Sequence, residues 1–278
     1  MEKIRKYHMP IVIWLAFELV AVALWLSLDN LFYLLNFTYI GVVIAIGMAM
    51  YISGVQRARM IVQLAVGLYM LVYLGLIHGE NMQIEGFWYY LSLGIFQAAV
   101  IHYLVAKIAG PFLFGRGWCG YACWTAMILD FLPYKTPRGP RREKLGLFRI
   151  IAFMFSILYF LVLASMYPDD LKNLMFISFI AGNLLYYAIG IILAFAFKDN
   201  RAFCKYVCPI TIFLKPASYF ARMRINVDAS TCISCGKCKK ACPMDVDILN
   251  GSRSRKNGTE CILCLECKKV CPVNAIKL

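Results

Sequence analysis

The sequence predicts an all-α polytopic membrane protein with a small α+β domain at its C-terminal end. Two observations carry this. The chain is 62% hydrophobic, well above the roughly 45–50% of a soluble protein, and its apolar residues come in six runs long enough for a bilayer, which takes about 20 residues each. Its 12 cysteines all fall in groups, most of them within residues 231–278. The expected division is 1–59 for two N-terminal transmembrane helices, 60–225 for a four-helix membrane core, and 226–278 for the cysteine-rich tail.

The six runs are Pro10–Leu28, Leu31–Ser53, Met60–Ile77, Phe87–Ile108, Leu147–Met166 and Leu174–Phe197. The connections between them alternate. "MEKIRK", "QRAR", the segment 109–146 and everything after Lys198 are basic, whereas "DN", "HGENMQIEG" and "YPDDLKN" are polar or acidic. Of the 29 Lys and Arg residues only Lys172 falls in the second set. The positive-inside rule makes the basic side cytoplasmic. Six crossings then predict a multi-pass protein of the inner, cytoplasmic membrane with both termini inside. The first run exceeds a signal-peptide core and leads directly into a second run, so it reads as an uncleaved anchor. The net charge of +14 is accounted for by this topology and by contact of "RGPRREK" with anionic lipid, which removes the case for nucleic-acid binding.

Residues 231–278 contain "TCISCGKCKKACP" and "ECILCLECKKVCP". Each is a C-x2-C-x2-C-x3-C-P run, the pattern of a bacterial two-cluster ferredoxin, in which three cysteines of one run bind one cubane and the fourth ligates the other. Two [4Fe–4S] clusters are expected, one on Cys232, Cys235, Cys238 and Cys271, the other on Cys261, Cys264, Cys267 and Cys242. Zinc is disfavoured because zinc sites pair one C-x2-C with a distant second pair. Lys237, Lys239, Lys240, Lys268 and Lys269 flank the cysteines; they read either as a guide for an acidic redox partner or as a solvated basic face.

The other four cysteines form two C-x3-C pairs. "RGWCGYAC" (116–123) and "RAFCKYVC" (201–208) share R-x-(W/F)-C-x-Y-x-C at an offset of 85 residues. Two apolar runs precede each pair, so the units have the same orientation, and a parallel repeat about an axis along the membrane normal follows. Such an axis brings Cys119, Cys123, Cys204 and Cys208 to one four-thiolate site. A third Fe–S cluster, redox-active thiol pairs, and purely structural cysteines all remain open. No C-x-x-C-H occurs, which argues against c-type haem.

The repeated runs, the paired C-x3-C motifs and the double ferredoxin tail resemble the NapH/MauN/NosR group of membrane ferredoxin-type proteins over roughly residues 60–278. "CKYVCPI" fits that group's C-x3-C-P, and in "CGYACWT" Trp124 stands where proline is expected. The resemblance implies electron transfer between the quinone pool and protein partners, as in a quinol dehydrogenase membrane component, with the ferredoxin part cytoplasmic. The CcoG/FixG group, linked to oxidase assembly and copper reduction, ranks second; it carries a further C-terminal domain, and here seven residues follow Cys271. A redox-sensing membrane regulator is the third reading.

Two ionisable residues inside the runs, Glu18 and His102, are candidates for a quinone or proton site; the competing reading is a polar contact between helices. His78 and His102 differ too much in depth to share a haem. A reporter fused to the C-terminus is expected to read out from the cytoplasm, and activity of a periplasm-dependent reporter there would overturn the assigned orientation.

Overall fold

The computed structural model of the chain describes residues 2–96 and 98–278; the side chains of the basic "MEKIRK" opening lie outside those described. The first two apolar runs form α1 (Glu2–Leu28) and α2 (Leu31–Ile52). The turn between them is closed by Asn30, whose side-chain oxygen accepts the Phe32 N–H at 2.9 Å and caps α2. The third run forms α3 (Ala58–Ile77), π-wound from Tyr69 onward. Then come α4 (Ile84–Ser92), α5 (Ala99–Phe114) and two short helices, α6 (Gly117–Tyr121) and α7 (Trp124–Leu129). After them, two long helices and two short ones follow, with no counterpart of α4: α8 (Phe148–Met166), α9 (Leu171–Phe197), α10 (Ala202–Tyr206) and α11 (Thr211–Tyr219).

The tail adds β1 (Asn226–Val227), α12 (Lys237–Lys240), α13 (Glu266–Lys269) and β2 (Ile276–Lys277). β1 and β2 pair antiparallel, with Asn226 opposite Lys277 and Val227 opposite Ile276, so the two ends of the tail close on each other. Cys119, Cys123 and Cys204 pack with the tail at one end of the bundle, here termed the cysteine end, and Cys208 stands near Cys119 and Cys123 there.

Among the described residues, five helices are long and apolar enough to cross a membrane, and Ala99–Phe114 is a shorter apolar one. Their outward faces are themselves apolar: Phe155 and Leu158 on α8, and Leu184 and Ile192 on α9, are exposed. A water-facing surface of this kind is rare; a lipid-facing one is expected. Inside, small residues let helices approach closely. A Cβ on Gly47 would strike Val62, and one on Gly75 would strike the Phe179 ring.

The fourth predicted run, Phe87–Ile108, is not a single helix. The chain descends from His78, at the end of the bundle opposite the cysteines, as an extended limb through residues 79–83. Asn81 donates to the Met175 carbonyl at 2.9 Å, near the start of α9. Gln83 lies against Gly182, seven residues further along α9 and therefore about 10 Å deeper. There α4 begins, and it runs back to the starting level, where the Tyr33 hydroxyl holds the Phe96 carbonyl at 2.8 Å. Gly94, with φ +64°, turns the chain into α5, which then runs to the cysteine end, where Phe114 packs.

Residues 78–96 thus form a re-entrant hairpin with its tip near mid-bundle. Irregular backbone at such depth needs partners within the protein. They are supplied by Asn81, whose carbonyl side-chain oxygen also takes the Gln83 N–H at 2.9 Å, and by a tight aromatic wedge of Phe87 on Tyr103 (4.9 Å) and Trp88 on Phe153 (6.0 Å). The polar residues Glu80, Asn81, Gln83 and Glu85, which made this connection read as an outer loop, line the descent instead.

The bend at the tip leaves no room for a side chain at Gly86, because a Cβ there would run into the Asn81 carbonyl. Gly86→Val is expected to cost about 1–3 kcal/mol, visible as a lowered melting temperature of the detergent-solubilised protein. An unchanged melting curve would argue against the hairpin.

Candidate metal centres

The tail builds two loops with the same backbone. Ser234, Gly236 and Asp245 have φ of 53°, 71° and 54°; their counterparts 29 residues on, Leu263, Leu265 and Asn274, have 53°, 62° and 51°. Left-handed backbone costs a non-glycine L-residue about 1–2 kcal/mol, so the paired recurrence at two leucines marks loops wrapped to a common purpose. Such alternation turns successive N–H groups inward as an anion-binding nest, a feature of Fe–S sites. The inward N–H groups meet sulfur: Ser234 N–H lies 3.4 Å from Cys232 Sγ, and Val246 N–H lies 3.4 Å from Cys242 Sγ.

Cys242 stands within charge reach of Cys261, Cys264 and Cys267, the three cysteines of the opposite run. Cys232 and Cys235 stand within reach of Cys238. Burial pushes the Cys242 thiol up to about 11 and Cys264 up to about 12, so thiolates there require a cation. Donor set, nests and N–H···S contacts all fit a cubane. The two loops differ in exposure: Cys235 of the first is exposed, whereas Cys261 and Cys264 of the second are half-buried and Cys267 is buried.

The C-x3-C pairs meet from the two halves of the repeat. Cys204 lies within charge reach of Cys208, Cys123 and Cys119, and Cys208 of Cys119 and Cys123. The arginine that opens each motif reaches across to the other one. Arg201 Nη1 donates to the Cys119 carbonyl at 3.0 Å, and Arg116 Nη2 donates to the Cys204 carbonyl at 3.4 Å; the two acceptors are the same motif position, 85 residues apart. Each arginine is then anchored by a carboxylate. Asp130 takes Arg201 at 2.6 Å and Arg59 at 2.7 Å. Glu260 takes Arg116, Arg149 at 2.7 Å, Arg141 at 3.0 Å and Lys215 at 3.3 Å.

Positive charge exceeds negative here. Lys107 is buried, its Nζ 5.1 Å from the Trp118 ring centre and within charge reach of Cys119, Cys123 and Cys208, with no carboxylate in an ion pair to it among the described residues. One carboxylate, Glu260, serves four cations. Four iron-bound thiolates are anionic, so a cluster at this point suits the charge that the fold has buried. Among the described residues no three Cys, His, Asp or Glu side chains converge as single-ion ligands would; cubane ligands stand farther apart.

The tail docks on this site through its more buried loop. The Tyr121 hydroxyl donates to the Leu263 carbonyl at 3.0 Å, a Cβ on Gly120 would meet the Ile262 carbonyl, and Glu260 directly precedes Cys261. The fully buried Glu260 thus joins tail and membrane helices in one charge network.

The two polar candidates from the sequence sit apart. Glu18 accepts from the Thr38 hydroxyl at 2.9 Å within the α1–α2 hairpin. His102 lies in the core, its ring 5.0 Å from that of Trp118 and 5.8 Å from that of Tyr103. Sequence reasoning missed Lys107, Asp130 and Glu260. Their signal was present: a lone cation ending an apolar run, and an acid abutting a cysteine motif.

A family model described as a 4Fe-4S dicluster domain matches residues 224–275. A second, described as a 4Fe-4S binding domain, matches twice, at 97–142 and 180–228, once around each C-x3-C pair. The chain is an iron–sulfur electron-transfer protein with several apolar helices of membrane-spanning length. Among its relatives, MJ0749 of Methanocaldococcus jannaschii is 26% identical over 62% of this chain and 70% of its own length. YccM of Escherichia coli, named as an electron transport protein, is 29% identical over 40% of this chain and 32% of its own length. MJ0750 of Methanocaldococcus jannaschii is 26% identical over 52% of this chain and 66% of its own. No solved structure matches.

The surrounding cations hold the Glu260 carboxyl well below the usual carboxylate range although burial opposes this, and Arg201 and Arg59 hold Asp130 down in the same way. A depressed folded-state value adds stability above the unfolded value, about 4, that is lost as pH falls. Melting temperature is therefore expected to stay level from pH 7 to pH 5 and to drop below about pH 4. Glu260→Gln strands buried cations and is expected to cost about 3–5 kcal/mol and to abolish much of that acid transition, as followed by circular dichroism.

Proposed function

We propose that the protein relays electrons within a membrane between the quinone pool and a protein redox partner, using three iron–sulfur centres in series. The observation that carries this reading is the packing of the 261–265 loop on the C-x3-C site, which gives an ordered path from an exposed cysteine loop to the membrane helices. In this reading Cys232, Cys235, Cys238 and Cys271 hold the outermost [4Fe–4S] cluster. Cys261, Cys264, Cys267 and Cys242 hold the second, and Cys119, Cys123, Cys204 and Cys208 hold the third. Bound clusters supply one-electron carrying capacity.

The chain's own residues do the rest. The crossed Arg116 and Arg201 fix the two C-x3-C loops face to face, and the buried cations favour the more negative, reduced state of a neighbouring centre. The exposed Lys237, Lys239 and Lys240 beside Cys235 suit docking of an acidic partner. The resemblance to quinol dehydrogenase membrane components supports the quinone link, and the distribution of Lys and Arg supports a cytoplasmic cysteine end.

Anaerobically purified protein is expected to hold about twelve irons per chain, or about ten if the third centre is [2Fe–2S]. Cys119→Ser should lower that number, and eight irons unaffected by the substitution would remove the third centre. A reduced quinone analogue should reduce the clusters, as read by electron paramagnetic resonance; failure of both reduction by quinol and oxidation by quinone would remove the quinone link.

A further inference from the structure

Between the α1–α2 hairpin and the repeat lies a cleft of about 530 Å³, open to the lipid-facing side of the bundle. This volume falls within the roughly 300–1,000 Å³ of small-molecule sites. Its walls are Leu35 and Tyr39 of α2, and Ala65, Leu68, Tyr69 and Tyr73 of α3. The three tyrosines form a continuous stack, Tyr39 on Tyr69 at 4.5 Å and Tyr69 on Tyr73 at 5.1 Å, with interplanar angles of 30° and 22°. The π-winding of α3 begins at Tyr69, in the wall itself, and π-turns are frequent at functional sites.

Resting on the quinone-linked reading above, we infer that this cleft binds the ring of a membrane quinone or quinol, held flat against the tyrosine stack. Three features favour a ring over an acyl chain. Flat aromatic walls match a planar ligand by offset stacking. The hydroxyls of Tyr69 and Tyr73 offer hydrogen bonds to ring oxygens that an acyl chain has no use for; the Tyr39 hydroxyl already donates to the Ala65 carbonyl at 3.3 Å. Glu80 lies outside the lining, but its carboxylate stands within charge reach of Tyr69 and sets a polar group beside the cleft that an acyl chain has no use for.

The position also connects to the metal site. Ala65, at the inner end of the cleft, is two residues from Gln63, about 3 Å of helix rise. The Gln63 amide reaches the Cys119 and Cys123 carbonyls at 3.4 and 3.5 Å. One helix therefore lines the cleft and cages the thiolate site. The α1–α2 hairpin, which lies outside the repeat, acquires a purpose as the second wall.

The test is photolabelling of the full-length holoprotein in phosphatidylethanolamine–phosphatidylglycerol nanodiscs with an azido-substituted alkyl benzoquinone. Adducts are expected on the peptides carrying Tyr39 and residues 65–73, displaced by unlabelled quinone. Ala65→Trp, which fills the cleft, should reduce this labelling at least tenfold in protein that retains its iron. Tyr69→Phe, which keeps the ring, should weaken displacement several-fold. Labelling confined to other segments, no displaceable labelling, or labelling indifferent to Ala65→Trp would overturn the inference. Labelling at the cleft without quinol-dependent cluster reduction would uphold the site and instead remove the electron-transfer role assigned to quinone.

Discussion

The reciprocal reach of Arg116 and Arg201 is the interaction on which the remaining architecture depends. A guanidinium in the interior is tolerable only with several acceptors around it. Each of these has two, a carboxylate and the carbonyl of the opposite motif's first cysteine. Because the carbonyl belongs to the other half of the repeat, neither arginine is satisfied until both halves are folded against each other. The geometry of the four thiols thus follows from the solvation needs of two charges.

Glu260 extends this dependence to the tail. Arg116 of the first motif and Arg149 of α8 need the same carboxylate, and that carboxylate belongs to the residue before Cys261. An independently tumbling ferredoxin domain would leave those arginines unpaired in the interior. The tail is a fixed part of the membrane body, and the spacing between its buried loop and the C-x3-C site is set by ion pairs as well as by apolar packing. Around the four thiols the fold buries more cations than carboxylates, with Lys107 beside Cys119, Cys123 and Cys208 in an otherwise apolar setting.

The sequence was most informative where chemistry forces a local pattern. The cysteine runs and the 85-residue offset were legible, because motif spacing is a short-range property; the structure sets Cys242 near the opposite run. Five of the six apolar runs form long helices. The run Phe87–Ile108 misled because hydropathy reports burial in an apolar medium and is blind to direction: a re-entrant helix and a crossing helix have the same composition. Gly94 and the cluster Asn81, Gln83 and Glu85 were the available clues, and they read equally well as a surface loop. Asp130 and Glu260 were hidden for a different reason, since ion pairs spanning 71 and 144 residues leave no periodic trace. Glu18 and His102 were each picked as polar groups in apolar runs, which identifies burial but not a common site.

The pseudo-symmetry of the thiolate site makes each half incomplete alone. A single helix pair bearing one C-x3-C motif carries half a set of four thiols and one arginine with no carbonyl to reach. The two halves differ in what joins their long helices: the first has the re-entrant hairpin, and the second has the four-residue link 167–170. Their junction is therefore polarised, with the α1–α2 hairpin on one flank and the cysteine-rich tail on the other.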